Sequence, residues 1–144
     1  MRRVALAAFA VLVIALAGAY LFFGRGSSAD VDPRVPEYTA APATLKAGAP
    51  FEVVMRPASP APKIVVYAFG IGDREPNPLD APIDLLPDGG VRLTGSSRSL
   101  AGAREARIVI GTASSIHRFD DALARAKSGS SDASIRVVTL AIER

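Results

Sequence analysis

Ile64-Val65-Val66-Tyr67-Ala68-Phe69 is an unbroken apolar run, β-branched over its first three residues, with Gly70-Ile71-Gly72 directly after it. A strand with one wet face alternates apolar and polar residues, whereas a run apolar at every position is read as a strand covered on both faces. β-branching at its start favours strand over buried helix. The run therefore predicts a central strand, and the rest of the chain is read as what covers it.

On its N-terminal side, Phe51-Glu52-Val53-Val54-Met55-Arg56 predicts a strand with Phe51, Val53 and Met55 on one face. Pro57, Pro60 and Pro62 make the connection between the two strands rigid. On the other side, residues 70–82 form a polar loop rich in glycine and proline. Residues 83–86 and 91–94 flank Pro87-Asp88-Gly89-Gly90 and predict a hairpin, because Asp-Gly supplies the positive φ of a tight turn. A strand follows over residues 107–110, ended by Gly111. A helix is expected over residues 116–127, capped by Ser114 or Ser115 and closed by Gly129, with an apolar stripe of Ile116, Phe119, Leu123 and Ala126. Asp121 precedes Arg125 by four, the favourable order for a surface pair. Residues 135–142 close the chain as a β-branched strand. Six or seven strands and one helix predict a mainly β (α+β) domain, a small β-sandwich or a sheet with the helix against one face.

All eleven prolines lie between Pro33 and Pro87. Residues 24–43 carry three of them with two glycines and no apolar period, so residues 25–43 read as an extended tether and residues 44–144 as the domain. Ahead of the tether, residues 4–23 form a charge-free run of twenty, long enough at about 1.5 Å per residue to cross about 30 Å of hydrocarbon as a helix. Arg2 and Arg3 precede it, which keeps its N-terminus cytoplasmic. Tyr20, Phe22 and Phe23 suit the far interface. The expectation is a single-pass anchor over residues 1–24, with the domain in the periplasm. The alternative is a cleaved signal peptide, with Ala17-Gly18-Ala19 and Ser27-Ser28-Ala29 as its small-residue sites, but a twenty-residue apolar region exceeds the usual ~7–15. Fourteen arginines against three lysines, in an alanine-rich chain, point to a GC-rich bacterial genome and hence to the inner membrane.

Charge and composition then exclude several functions. The net charge of +3 comes from Arg2, Arg3 and Arg25 beside the apolar run, and residues 27–144 are neutral. A neutral body has no footprint for a phosphate backbone, so no nucleic-acid partner is expected. The chain contains no cysteine, which removes disulfides, thiolate metal sites and thiol catalysis. His117 is the only histidine and has no recognisable base or nucleophile partner, so it reads as a solvated residue in the first helical turn. Gly70-Ile71-Gly72 follows a strand but leads into Asp73-Arg74-Glu75-Pro76, which breaks the dinucleotide-binding fingerprint. Arg98, Arg104 and Arg107 read as a solvated sheet face without aromatic stacking partners.

Five carboxylates, Asp73, Glu75, Asp80, Asp84 and Asp88, fall within sixteen residues. They could offer oxygen ligands to Ca²⁺ or an acid/base pair for glycoside hydrolysis, but their spacing matches no EF-hand and Arg74 stands among them as a counter-ion. Solvated loop acids are the simpler reading. No residue is assigned as catalytic, cofactor-binding or metal-binding, no cofactor is expected, and the chain is read as a non-enzyme.

The segments Leu45-Lys46-Ala47-Gly48-Ala49-Pro50-Phe51-Glu52-Val53, Val66-Tyr67-Ala68-Phe69, Asp88-Gly89-Gly90-Val91-Arg92-Leu93 and Arg107-Ile108-Val109-Ile110-Gly111 occur in that order. In this the chain resembles a bacterial domain-of-unknown-function family of membrane-anchored, extracytoplasmic β-rich modules, which accompany caspase-like peptidases or regulatory kinases. The resemblance covers residues 44–142. It implies a protein partner in the envelope and no catalytic residues. The functional expectation is a membrane-tethered binding or interaction module. A carboxylate-dependent envelope hydrolase and a calcium-stabilised structural domain are its alternatives.

Overall fold

The computed structural model describes residues 34–144. The anchor or signal reading of residues 4–23 and the first part of the tether lie outside the described residues. Among the described residues, no helix is long and apolar enough to cross a membrane.

Among the described residues the domain is mainly β, with nine strands in two sheets and one helix. The first sheet is antiparallel throughout, in the order β1 (Tyr38–Ala41), β3 (Phe51–Pro57), β7 (Val91–Gly95), β6 (Ile83–Leu85). The second runs β2 (Thr44–Lys46), β9 (Ile135–Glu143), β8 (Glu105–Gly111), β4 (Val65–Ile71), β5 (Asn77–Pro78), antiparallel except for the β2–β9 pair. Alternation along the strands decides which side chains go inward. Val53 and Met55 of β3 and Val91 and Leu93 of β7 meet Ala106, Ile108 and Ile110 of β8, Leu140 of β9 and Leu45 of β2 in one buried cluster between the sheets. Each fully buried aliphatic chain of this kind contributes about 1.5–3 kcal/mol relative to exposure.

The outer face of the second sheet holds a smaller cluster, in which Phe69 and Val109 pack with Ile116, Ala122, Ala126 and Ile135. Ala122 and Ala126 belong to the helix, α1 (Phe119–Ser128), and their small side chains let it lie close to β4 and β8. Phe119 remains 42% exposed, with its ring against those of Tyr67 and Phe69.

β8, rather than the run at 64–69, is the strand most completely enclosed. It is paired along its length on both sides, and Ile108, Val109 and Ile110 are all buried. β4 lies next to it, and its far edge pairs only at Phe69↔Pro78 and Gly70↔Asn77. The proline-rich segment that follows can supply no longer strand, since proline lacks the ladder donor.

Two other expectations are corrected. The domain begins before residue 44: Val35 is 1% exposed, its N–H donates to the Ala133 carbonyl (2.8 Å), and β1 lies within the segment read as tether. Proline is tolerated in edge strands, so a proline-rich stretch can be either an edge or a tether. The helix also starts three residues later than expected, with Arg118 at the N-cap. Ser115 serves the preceding turn instead, where its hydroxyl accepts the Thr112 N–H (2.9 Å) and lies 3.1 Å from the Ser134 carbonyl. Asp121 supplies the cap by accepting the N–H groups of His117 and Arg118, both at 3.0 Å. It is thereby drawn away from Arg125, which pairs with Asp132 at 2.5 Å. Gly129 ends the helix at φ 67°, as its position predicts.

The hairpin forms at the expected place. The N–H of Gly89 (φ 81°) donates to the Leu86 carbonyl (3.0 Å), the N–H of Leu86 donates to the Gly90 carbonyl (2.8 Å), and the Asp88 carboxylate accepts the Gly90 N–H (2.9 Å).

Candidate binding cleft

β4 and β8 run antiparallel, with Val65 opposite Gly111 at one end and Ile71 opposite Glu105 at the other. The chain leaves β4 into residues 72–80 and enters β8 from residues 96–104, so both loops emerge at the same end of the sheet. Between them is a cleft of about 470 Å³, lined on one side by Asp73, Arg74, Asn77 and Asp80 and on the other by Ser96, Arg98 and Ser99.

Both walls are fixed by the backbone. The Arg104 N–H donates to the Ile71 carbonyl (2.7 Å), and the Leu79 N–H donates to the Ala68 carbonyl (2.9 Å). Gly72 and Gly102 lie so close that a Cβ on Gly72 would stand 2.5 Å from the Gly102 carbonyl oxygen. Leu100, 2% exposed, anchors the second wall in the core. The Ser99 hydroxyl joins the two walls by donating to the Asp80 carbonyl (2.8 Å) while it accepts the Ser96 N–H (2.9 Å).

Electrostatics divide the charged groups into two sets. Asp73 forms an ion pair with Arg104, and Glu75 with Lys127 of α1 at 2.6 Å. The Lys127 hydrogen bond and charge hold the Glu75 carboxyl below the usual carboxylate range. Arg74, Arg98 and the Asp80 carboxylate are not engaged by any side-chain hydrogen bond or ion pair among the described residues.

The five carboxylates are therefore not one cluster. Asp73, Glu75 and Asp80 line this cleft. Asp84 is in β6, and Asp88 is in the hairpin turn of the first sheet beside Arg56. Among the described residues no three acidic or histidine side chains come together in a way that could hold a metal ion.

His117 belongs to the turn after Gly111, at the opposite end of the β4–β8 pair. Seven-residue strands place the two ends about 20 Å apart. The expected arginine face is also dispersed. Arg98 lines the cleft and Arg104 holds Asp73. Arg107 reaches under the helix, where it donates to the Ala126 carbonyl at 2.6 Å. The acidic residues that the sequence singles out include three of the first wall, whereas no sequence feature was joined to the second. Its signal is the serine- and glycine-punctuated stretch at 95–102 between two strands.

No protein-family model matches the chain, and none of the curated proteins is similar to it in sequence. The resemblance drawn from the strand pattern therefore rests on the residues quoted for it alone.

Proposed function

We propose that the chain is a non-enzymatic binding module, tethered to the bacterial inner membrane by residues 4–23 and displayed in the periplasm. The observation that carries the reading is the cleft between residues 70–80 and 96–103, which has rigid walls and charged groups left free to meet a ligand. Walls fixed by hydrogen bonds lose little freedom when they bind, which favours recognition. His117, the side chain best suited to proton transfer near neutral pH, lies a strand length away from these groups. The tether follows from the charge-free run behind Arg2 and Arg3.

The test is crosslinked co-purification of the full-length protein from native membranes, reading the mass of the bait together with its partners. A full-mass bait in the membrane fraction with a stoichiometric partner is expected. A soluble bait lacking its first 19 or 29 residues would refute the tether, and a solitary bait would refute the protein partner.

A further inference from the structure

We propose that the cleft takes a small ligand through an oxyanion, a carboxylate or phosphate group held by Arg74 and Arg98, with Asp80 receiving a hydroxyl of the same molecule. The inference rests on reading this cleft as the binding surface, and goes beyond it by naming the ligand chemistry.

At the cleft, the ion pairs leave some charges over. Arg104 and Lys127 stand beside the cleft, but each already has a carboxylate, Asp73 and Glu75 respectively. Those two pairs neutralise the outer acids and leave Arg74 and Arg98, the two arginines that line the cleft, without a side-chain partner among the described residues. Guanidinium groups present planar sets of donors that match carboxylate and phosphate oxygens, and such charge-assisted bonds are about twice as strong as neutral ones. The Asn77 amide lies on the same lining and adds donors that also suit an oxyanion. Among the three carboxylates that line the cleft, Asp80 is the one left without a cation; it is acceptor-only when ionised and calls for a hydroxyl. The volume of about 470 Å³ falls within the range of small-molecule sites, about 300–1,000 Å³. The backbone that carries Arg98 is fixed by two overlapping turns, with Ser99 N–H donating to the Ser96 carbonyl (3.1 Å) and Ala101 N–H to the Arg98 carbonyl (3.2 Å).

The test is amide chemical-shift titration of the ¹⁵N-labelled full-length protein in detergent micelles, with inorganic phosphate, glucose 6-phosphate, glucuronate and neutral glucose as probes. Saturable shifts confined to residues 70–80 and 96–103 are expected with glucose 6-phosphate or glucuronate and not with glucose. Affinity should fall about tenfold or more in the R74Q/R98Q variant, as expected when charge-assisted bonds are lost, and stay unchanged in R56Q, which is outside the cleft. Whichever of glucose 6-phosphate and glucuronate binds more tightly identifies the oxyanion. Inorganic phosphate binding as tightly as both would remove the hydroxyl role of Asp80. No saturable shift, equal response to glucose, or an unchanged R74Q/R98Q variant with intact dispersion would overturn the proposal. None of these results bears on the membrane tether or the protein partner, which the co-purification addresses separately.

Discussion

The guanidinium of Arg107 closes the helix at Ala126: from β8 below, it donates to the Ala126 carbonyl at 2.6 Å and to the Lys127 carbonyl at 3.0 Å. The last carbonyls of a helix have no partner within it and carry the negative end of the helix dipole, so a cation delivered from the sheet meets both needs. Glu105, two residues along the same strand, forms an ion pair with Arg107 at 2.5 Å. One arginine thus joins the helix to the sheet it covers. Arg107→Met keeps much of the stem but removes these bonds, and should cost about 1–3 kcal/mol in urea unfolding. Amide exchange should rise in the last turn of α1 before it rises in β8. Equal protection of that turn in the variant would show that packing of Ala122 and Ala126 suffices.

Tyr38 donates its hydroxyl to the Gly89 carbonyl (2.8 Å), tying the edge strand β1 to the hairpin turn. Partial burial and, second, the nearby charge of Asp88 push the phenol up to about 12. A raised pKa means that the folded state holds the proton more tightly than the unfolded chain. This contribution to stability is complete below about pH 10 and is lost as pH rises towards 12. Tyr38→Phe should lower stability by about 1 kcal/mol at neutral pH and flatten the alkaline fall. Absorbance at 295 nm, followed in both proteins, checks the titration directly. A Tyr38 that ionises near 10 would contradict the assignment.

How far the fold could be read from sequence depended on whether local pattern or tertiary partnership set each element. Val91 and Leu93 alternate with Arg92 and Thr94, and Glu52 and Arg56 flank the period-two set of Val53 and Met55, so strands β3 and β7 and their inward faces were legible. Asp88-Gly89 announced its turn because only the backbone requirement of the turn was at stake. β1 was not legible, since its strand character depends on pairing with β3 in a segment whose prolines suit an edge and a tether equally. The helix start was misplaced because two serines offered a cap, whereas Ser114 bonds to the Thr112 hydroxyl and Ser115 to Thr112 and Ser134 instead. The acidic run looked continuous in sequence, yet the hairpin carries Asp84 and Asp88 into the other sheet. The second wall of the cleft came into view only when β4 and β8 brought residues 72–80 and 96–103 to one end.

Asp132 accepts hydrogen bonds from the N–H groups of Ser134 (2.8 Å) and Ile135 (3.0 Å), and pairs with Arg125. The Ser134 backbone bond is the leading cause that brings its pKa down from 3.8 to about 2. A depressed folded pKa gives stability that is present above the unfolded value, near 4, and lost as pH falls through about 2. Arg125 and Asp132 are partly solvent-exposed, so the ion pair itself should contribute little and weaken with salt. Asp132→Asn should therefore flatten the unfolding free energy between pH 4 and pH 2, with most of the effect surviving in 0.5 M NaCl because the backbone bonds dominate. An unchanged acid profile would assign the slope to other carboxylates.

Gly72 and Gly102 face each other across the base of the cleft, but they are glycines for different reasons. Gly102 has φ +76° with nothing within 4 Å of a built Cβ, so alanine there meets only backbone strain, about 1 kcal/mol. A Cβ on Gly72 would stand 2.5 Å from the Gly102 carbonyl oxygen, a backbone atom that can yield only if the wall itself moves. Gly72→Ala should cost more, about 1–3 kcal/mol, and should displace amide resonances on both walls, from residues 70–80 and from 100–104. Gly102→Ala should shift only its sequence neighbours. Gly102→Asn should recover part of the loss, because asparagine tolerates the left-handed conformation better than alanine. If Gly72→Ala left the second wall undisturbed, the contacts that fix the cleft would have to be sought in the Arg104–Ile71 and Ser99–Asp80 bonds instead.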